Sequence, residues 1–324
     1  MTTLQLDPTQ PDELAMAARL LQQGRLVAVP TETVYGLAAD ARNPDAVAGI
    51  FTAKGRPADH PLIVHLPSVD AMTDWAVDIP ASAWQLAKAF WPGPLTLLLK
   101  KAPQVSPVIT GGLPTIGLRV PAHPVLHQLL QQHQLAVAAP SANRYKKLSP
   151  TSAAQVLHTL DGRIDAVLDG GDCSYGLEST IVDATCEPLT IVRAGPIQAS
   201  ELSQVLGQPV LQPEQHQVKV AGNVRAHYQP NTPVIYTSFQ AELPTQVGMA
   251  AKVAILHFGP LPKALRPIWQ QQMPADAKAY GRKLYRALAD ADHAGADVIV
   301  LEAPPEGEAW LAVWDRLKRA SYQG

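Results

Sequence analysis

The stretch FTAKGRPADHPLIVHL, residues 51–66, joins the end of a predicted helix to a predicted buried strand through a glycine loop. The helix is predicted over NPDAVAGIFTAKG, because Asn43 suits the N-cap and Pro44 suits the first helical position. After the loop, PLIVHL has the continuous apolar character of a buried strand. Lys54 and Arg56 flank Gly55, and KGRP contains no acidic residue. Two cations around a glycine indicate a loop that contacts an anion.

The composition describes a folded chain with a large core. The 324 residues are 47% hydrophobic and 17% charged, and the net charge of −2 argues against broad electrostatic binding to nucleic acid. The two cysteines, Cys173 and Cys186, supply no disulfide framework and no four-ligand metal spacing, which favours a reduced, cytoplasmic setting. The N-terminal stretch lacks the apolar core of a secretory signal, and no apolar run reaches the roughly 20 residues of a membrane helix, so we expect no membrane partner.

Strand and helix patterns mix along the chain without strict alternation. RLVAVP, LTLLLKK and TIGLRVP predict strands, whereas HPVLHQLLQQH and SPTSAAQVLHTLDG predict helices. This mixture predicts an α/β fold with a twisted open mixed sheet rather than a Rossmann domain, and the usual glycine-rich phosphate loops are absent from the sequence. After residue 203 the chain becomes rich in Gln and Pro before strand and amphipathic helix patterns resume. We therefore predict a main domain over 1–203, a linker over 204–233 and a small C-terminal α/β domain over 234–324.

Cations at strand and helix ends form the first set of candidate site residues. They are Lys54, Arg56, Arg119 and Arg193. Taken singly, each is interpreted most simply as a solvated surface charge, the usual state of Lys and Arg. Arg119 lies inside the apolar run TIGLRVP, however, and Arg193 lies inside LTIVRAGP. A cation in such a strand should be paired or should face a cleft.

Short polar side chains at loop mouths form the second set. They are Thr31, Thr33, Ser141, Asn143, Ser149, Thr151, Ser179 and Thr180. Helix capping and turn formation are the alternative roles, above all for Ser149 and Thr151. Glu32 has the similar alternative of tying down its own loop. His60 and His65, which flank a predicted strand, are of a kind that is more often structural than catalytic.

The sequence offers no paired carboxylates, no metal-ligand spacing and no G-x-S-x-G nucleophile elbow. Cations, hydroxyls and backbone amides suit a reaction whose substrates bring both the nucleophile and the leaving group, as in phosphoryl or nucleotidyl transfer. The protein then supplies orientation and charge stabilisation.

Several motifs, taken in order, resemble the YrdC-type threonylcarbamoyl-AMP synthases. They are PTETVYGL, KGRP, HPLIVH, TIGLRVP, PSAN, SPT, ESTIVD and RAGP, within residues 10–200. The combined K-x-R and S-x-N signature is the most specific part of this match. HYQP, residues 227–230, and the sequence after it resemble the long form of the family, which adds a linker and a C-terminal domain.

The resemblance implies a YrdC-like sheet around a large basic cavity, with 1–203 as the catalytic domain and the 204–233 linker covering the active site. It implies a nucleotidyltransferase that makes L-threonylcarbamoyladenylate and pyrophosphate from ATP, L-threonine and bicarbonate. A downstream tRNA threonylcarbamoyl transferase would take the product for N6-threonylcarbamoyladenosine modification of tRNA, without stable tRNA binding by this chain. Mg²⁺ is expected with the ATP phosphates and without a dedicated protein site.

The resemblance also implies roles for individual residues. Lys54 and Arg56 are the catalytic candidates. ATP binding is implied for Arg56, His60, Thr115, Ser141, Asn143, Ser149, Arg193, His227 and Tyr228. L-threonine binding is implied for Thr33, His65, Arg119, Ser179 and the backbone of Ala139. Two departures from the family pattern are His60, where the family often has Asn, and the missing linker lysine, for which Arg225 is the candidate replacement.

Three alternatives stay open from the sequence. The first is an RNA-binding module that uses the same basic cleft, although the net charge speaks against it. The second is a nucleotide sensor that binds ATP and threonine without turnover. The third is a carbamoyl-transfer module of the hydrogenase maturation type, whose cysteine-rich zinc motifs this chain lacks.

Overall fold

The computed structural model describes residues 2–213, 216–222, 226–239, 247, 252–261 and 265–322. The chain forms two compact units. The first contains residues 1–145, 150–174 and 178–223, and the second contains residues 146–149, 175–177 and 224–324. The three-segment division drawn from the sequence stays a prediction, and the helix that precedes the expected linker continues to Leu206.

The first unit combines short strands with helices of moderate length. Its described helices are α1 (Pro11–Gln22), α2 (Pro44–Lys54), α3 (Ala81–Phe90), α4 (Pro107–Thr110), α5 (Pro124–His133), α6 (Ala153–Leu160) and α7 (Ala199–Leu206). Its described strands are β1 (Leu4–Leu6), β2 (Val27–Val29), β3 (Gly36–Asp40), β4 (Ile63–His65), β5 (Leu95–Lys100), β6 (Thr115–Arg119), β7 (Val137–Ala138), β8 (Ala166–Leu168), β9 (Thr180–Asp183) and β10 (Thr190–Arg193).

These strands form one mixed sheet. Within the described residues it is ten-stranded, in the order β1-β8-β2-β3-β7-β4-β6-β5-β9-β10. Strands β4 and β6 run parallel, whereas β5 and β6 are antiparallel. The predicted mixed α/β sheet is therefore confirmed, and the absence of strict strand–helix alternation reflects this mixture of pairings.

Different apolar clusters pack on the two faces of the central strands. Alternate side chains along a strand point to opposite faces. Leu97 and Leu118 belong to the large core that also holds Ile50 of α2 and Leu86 of α3. On β4, β5 and β9, Ile63, Leu98 and Ile181 instead form a smaller apolar cluster with Val218 and Val220, residues that follow α7. We call residues 216–222 the covering segment, because they lie on this second face.

Helix α2 begins and ends as the sequence predicts. The Asn43 side chain accepts hydrogen bonds from the backbone N–H groups of Asp45 and Ala46 at 3.1 and 3.2 Å. Gly55 ends the helix in the left-handed conformation, with φ 64°, which glycine adopts without steric cost. Arg56 then donates its backbone N–H to the Phe51 carbonyl at 3.0 Å. This cap fixes the direction in which the chain leaves the helix.

The second unit contains a smaller parallel sheet. Its described elements are β11 (Val234–Thr237), β12 (Val253–His257), β13 (Trp269–Gln272), α8 (Ala277–His293), β14 (Val298–Glu302) and α9 (Leu311–Ala320). Within those residues the strand order is β11-β14-β12-β13, and all the pairs are parallel. The predicted small C-terminal α/β domain is thus confirmed as a fold. In the described parts of both units, no helix has the length and apolar character needed to cross a bilayer.

Candidate active site

The end of α2 is tied to the PSAN loop by Lys54. The Lys54 Nζ atom donates hydrogen bonds to the backbone carbonyls of Ser141 and Asn143, the second at 2.6 Å. The Lys54 backbone carbonyl in turn accepts from the Tyr145 N–H at 2.9 Å. Lys54 is only 2% exposed. The K-x-R and S-x-N motifs therefore meet through a side chain of one and the backbone of the other.

Burial, followed by the charge of Arg56, lowers the pKa of Lys54 well below its ordinary value. Donation to two carbonyl oxygens favours the charged form and opposes that shift. A buried ammonium with two fixed acceptors holds a loop in place, and it also adds positive potential to the site.

Arg56 follows the helix cap and is buried as well. Its Nη2 atom donates to the Pro61 carbonyl at 3.0 Å, across the loop that leads into β4. His60, in the same loop, contacts the Tyr145 ring edge-on, with the ring centroids 5.5 Å apart. Asp59 pairs with Lys219 of the covering segment at 2.7 Å, at an exposed position. The loop of the opening stretch thus contacts the PSAN region at one end and the covering segment at the other.

Arg119, at the end of β6, lies at the centre of a buried polar cluster. Its Nη1 atom donates to the Thr33 Oγ1 atom at 3.0 Å, and its Nε atom donates to the Gly93 carbonyl at 3.1 Å. Its Nη2 atom forms an ion pair with the Glu32 Oε1 atom at 2.6 Å. Thr33 Oγ1 also contacts Thr31 Oγ1 at 2.8 Å. The prediction that a cation in an apolar strand is paired is confirmed for Arg119.

His65 and Ala139 are neighbours of Arg119 in the sheet. His65 is paired in register with Arg119 across β4 and β6. Burial, followed by the Arg119 charge, lowers the pKa of His65 to about 3, so the ring is neutral at pH 7. The Ala139 N–H bonds to the Ile63 carbonyl at 3.1 Å. The backbone contact implied for Ala139 would therefore use its carbonyl oxygen.

Arg193, at the end of β10, binds Ser179 twice. Its Nε atom donates to the Ser179 carbonyl at 3.0 Å, and its Nη2 atom donates to the Ser179 Oγ atom at 2.9 Å. Thr96 Oγ1 lies 2.8 Å from the same Oγ atom. The Arg193 Nη1 atom donates to the Ala221 carbonyl of the covering segment at 2.9 Å. A residue expected at ATP and one expected at threonine are therefore in direct contact.

Thr115 lies apart from these clusters. It begins β6, on the same strand face as Arg119, and is paired with Lys100 of β5. It lines a groove of about 500 Å³ together with Lys100, Asp78 and Thr185. In the part of the chain that the structure describes, Thr115 makes no hydrogen bond to Arg56, Ser141 or Arg193.

Ser149, His227 and Tyr228 belong to the second unit. All of them are buried, and Tyr228 has a left-handed backbone with φ 58°. The Tyr228 ring stacks on Tyr285 with the centroids 5.6 Å apart, and the Arg316 guanidinium lies 5.4 Å from its centroid. Arg225, the candidate replacement for the linker lysine, lies outside the described residues.

The structure decides several alternatives. Lys54, Arg56, Arg119 and Arg193 are all buried, so their interpretation as solvated surface charges was wrong. The cap of α6 is Ser152 rather than Ser149 or Thr151. Glu32 does not serve its own loop alone, because it pairs with Arg119. An acidic residue between Thr31 and Thr33 was the sequence signal for a further site residue. The sequence did not show that its partner would be Arg119 of β6.

The arrangement gathers positive charge and hydroxyl groups over one part of the sheet. Such groups can neutralise phosphates and carboxylates and hold them in place. Among the described residues, no group of three or more His, Cys, Asp or Glu side chains could hold a metal ion.

Comparisons with known proteins identify the family of this chain. The family model of Sua5, YciO and YrdC, described as "Telomere recombination", matches residues 19–195. A second model, described as "Threonylcarbamoyl-AMP synthase, C-terminal domain", matches residues 197–321.

Curated relatives match over nearly the whole chain. A threonylcarbamoyl-AMP synthase of Pyrococcus abyssi is 39% identical over 95% of this chain and 94% of its own length. One of Bacillus subtilis is 36% identical over 97% of this chain and 94% of its own length. The crystal structure of P. abyssi Sua5 complexed with L-threonine superposes with a TM-score of 0.90 and 36% identity, covering 99% of this chain and 98% of that chain. The chain belongs to the Sua5/YrdC family of threonylcarbamoyl-AMP synthases.

Proposed function

We propose that this synthase condenses ATP, L-threonine and bicarbonate into L-threonylcarbamoyl-AMP and pyrophosphate. Family membership and the full-length match to synthases support the reaction. The observation that carries the assignment of substrates is the direct contact of Arg193 with Ser179, because it joins the residues expected at ATP to those expected at threonine. The solved P. abyssi relative is described as complexed with L-threonine, which supports the amino-acid substrate.

The chemistry needs little from the protein beyond charge and orientation. Bicarbonate takes up a proton and loses water to give carbon dioxide, and the threonine amine adds to its carbon and gives up a proton to form a carbamate. A carbamate oxygen then attacks the α-phosphorus of ATP, and the bond to the pyrophosphate leaving group breaks. Arg56 and Arg193 are suited to offset the phosphate charge, and Arg119 is suited to offset the carboxylate. The predicted large basic cavity would bring these reactants together.

In this proposal Lys54 supports the PSAN loop, whereas the resemblance implied a catalytic role for it. Its ammonium group is bound to the Ser141 and Asn143 carbonyls, so it acts on ATP through the loop that carries those residues. Burial and then the nearby Arg56 charge lower the pKa of Lys54, and the two side chains would act together on the triphosphate.

Magnesium would enter with ATP. A hard cation takes oxygen ligands, which the phosphates supply, whereas the Glu32 and Asp59 carboxylates described around this site are paired with Arg119 and Lys219. The covering segment would limit access of water to the mixed anhydride, a bond prone to hydrolysis.

We place the reaction in the cytoplasm, a setting with which the free thiols of Cys173 and Cys186 agree.

The product would pass to a tRNA threonylcarbamoyl transferase, and the chain itself would not bind tRNA stably. An RNA-binding module or a nucleotide sensor is not favoured, because the curated synthases match almost the full chain.

Pyrophosphate release from ATP tests the proposal, with threonine and bicarbonate each present or absent. We expect release only when both are present, together with a product of the mass of threonylcarbamoyl-AMP. ATP binding without release under every mixture would refute the proposed reaction and favour the sensor.

A further inference from the structure

Glu32 is a buried carboxylate to which the proposed reaction gives no role. It is 5% exposed, and its Oε1 atom lies 2.6 Å from Arg119 Nη2. Its own loop does not satisfy it, because neither carboxylate oxygen has a hydrogen-bond partner of good geometry among the described residues. A buried charge of this kind is retained only where its partner compensates it. The ion pair with Arg119 is therefore the main compensation for Glu32.

His123, a second basic side chain near Glu32, does not compensate the Glu32 charge. His123 senses the Glu32 charge, but burial is the larger effect and lowers the pKa of His123. Burial thus disfavours the charged form of His123, and among the described residues Arg119 is the cation paired with Glu32.

The guanidinium group of Arg119 is held on three sides. Gly93 accepts from Nε, Thr33 accepts from Nη1, and Glu32 faces Nη2. A guanidinium group has five N–H donors, so the two hydrogen bonds leave one N–H on Nη1 and both N–H groups on Nη2, whose contact with Glu32 is an ion pair without hydrogen-bond geometry. Two such donors in a fixed plane match the two oxygens of a carboxylate. Gly93 and Thr33 bond to two of the three nitrogens, and Glu32 adds the contact at Nη2, the terminal nitrogen that otherwise has no partner among the described residues.

We propose that Glu32 is a positioning residue for the amino-acid substrate, which holds the Arg119 guanidinium in the orientation that receives the substrate carboxylate. The inference rests on the proposed function, in which Arg119 binds threonine. Glu32 does not contact the substrate in this scheme. Its contribution is exerted only on ligands that carry a carboxylate.

The test compares L-threonine with L-threoninol, in which a hydroxymethyl group replaces the carboxylate. Calorimetry measures binding of both ligands to the full chain and to its Glu32→Gln variant, which keeps the side-chain shape and removes the charge. We expect the dissociation constant for threonine to rise about 10-fold or more, the effect of losing one well-oriented bond to a charged group. The constant for threoninol should change far less, and ATP affinity should stay unchanged.

Asp183→Asn is the matched control. Asp183 is also a buried acid of the first unit, and it accepts hydrogen bonds from Thr185. It should leave the preference for threonine over threoninol at the wild-type value. Equal weakening of both ligands by Glu32→Gln, or no weakening of either, would overturn the inference, since a purely structural role cannot distinguish the two ligands.

A second variant covers the case in which Glu32→Gln does not fold. Glu32→Asp keeps the charge but withdraws it by one methylene group, so a reduced preference for threonine is expected, and an unchanged preference would count against the inference. Binding is measured apart from turnover. A wild-type chain that binds threonine but releases no pyrophosphate would refute the proposed reaction and still leave this ligand comparison decisive.

Discussion

Arg193 and Ser179 are joined by two hydrogen bonds, from Nε to the backbone carbonyl and from Nη2 to the hydroxyl oxygen. One guanidinium group thus fixes both the backbone and the side chain of the residue that precedes β9. Under the proposed function, this contact couples the ATP site to the threonine site.

Ser179→Ala should therefore weaken both substrates together. The variant removes the oxygen that accepts from Arg193, a charge-assisted bond worth about 1.5–3 kcal/mol. We expect the KM values for ATP and for threonine each to rise about 10-fold, in steady-state assays of pyrophosphate release. Thr96→Val is the matched control, because it removes a contact to the same hydroxyl but leaves Arg193 and Ser179 paired. A rise confined to one substrate would contradict the coupling.

Lys54→Met should cost stability as well as turnover. The variant leaves the Ser141 and Asn143 carbonyls without their ammonium donor, and each buried unpaired polar group costs about 1–3 kcal/mol. Scanning calorimetry should show a Tm lower by several degrees, and pyrophosphate release should fall because the PSAN loop is no longer held. Lys88→Met, at an exposed position of α3, should change neither quantity. A Lys54→Met variant of wild-type Tm would show that the loop does not depend on this lysine.

His65 should make the protein less stable at mildly acidic pH. Its pKa is about 3 in the folded chain, against 6.5 for an ordinary histidine. Between these values the unfolded chain binds more protons, so the free energy of unfolding falls as pH falls, by at most about 1.4 kcal/mol per pH unit.

Urea unfolding at pH 7 and pH 5 measures this slope. Burial also lowers the pKa of His123, so the slope of the wild type contains both histidines. His65→Gln should reduce the slope. An unchanged slope in His65→Gln would mean that the ring titrates normally.

The covering segment should depend on its apolar contacts rather than on its surface ion pair. Val220 is buried against Leu98, Ile181 and Val192, whereas the Lys219 and Asp59 side chains are 45% and 65% exposed. Val220→Asp should release the segment, which limited proteolysis would detect as faster cleavage, and should raise the KM for ATP by disturbing the bond from Arg193 to Ala221.

Lys219→Ala should have little effect, because exposed ion pairs contribute about 0–1 kcal/mol. The reverse ranking, with Lys219→Ala the more damaging, would show that the charge pair holds the segment.

The local features were predictable because short-range chemistry determines them. Asn43, Pro44 and Gly55 mark the ends of α2 through capping and backbone preference, and the structure confirms all of them. Strand β13 was missed because WQQQ has no apolar run to mark it, and its pairing with β12 is made by backbone groups that every residue type carries. Strand β3 was missed as well, because GLAAD follows a loop with no clear turn signal.

Contacts between residues that are distant in the chain could not be predicted from the sequence. The burial of Arg119 was foreseeable from TIGLRVP, but its pairing with Glu32 depends on where the loop before β3 meets the end of β6. The role of Lys54 was similarly hidden, since its acceptors are backbone carbonyls that any residue type supplies. The resemblance identified which residues matter without giving their mutual contacts.

The strand order of the first unit has a consequence for the synthesis of this protein. Strand β4 pairs with β7, and β5 pairs with β9, so several neighbours in the sheet are distant in the chain. Such non-local pairing folds slowly, because distant segments must first find each other. The Arg193–Ser179 contact cannot form on the ribosome until β10 has emerged. We therefore expect nascent chains that end before β10 to expose apolar strand edges, and chaperones to hold them until the last strand of the sheet is available.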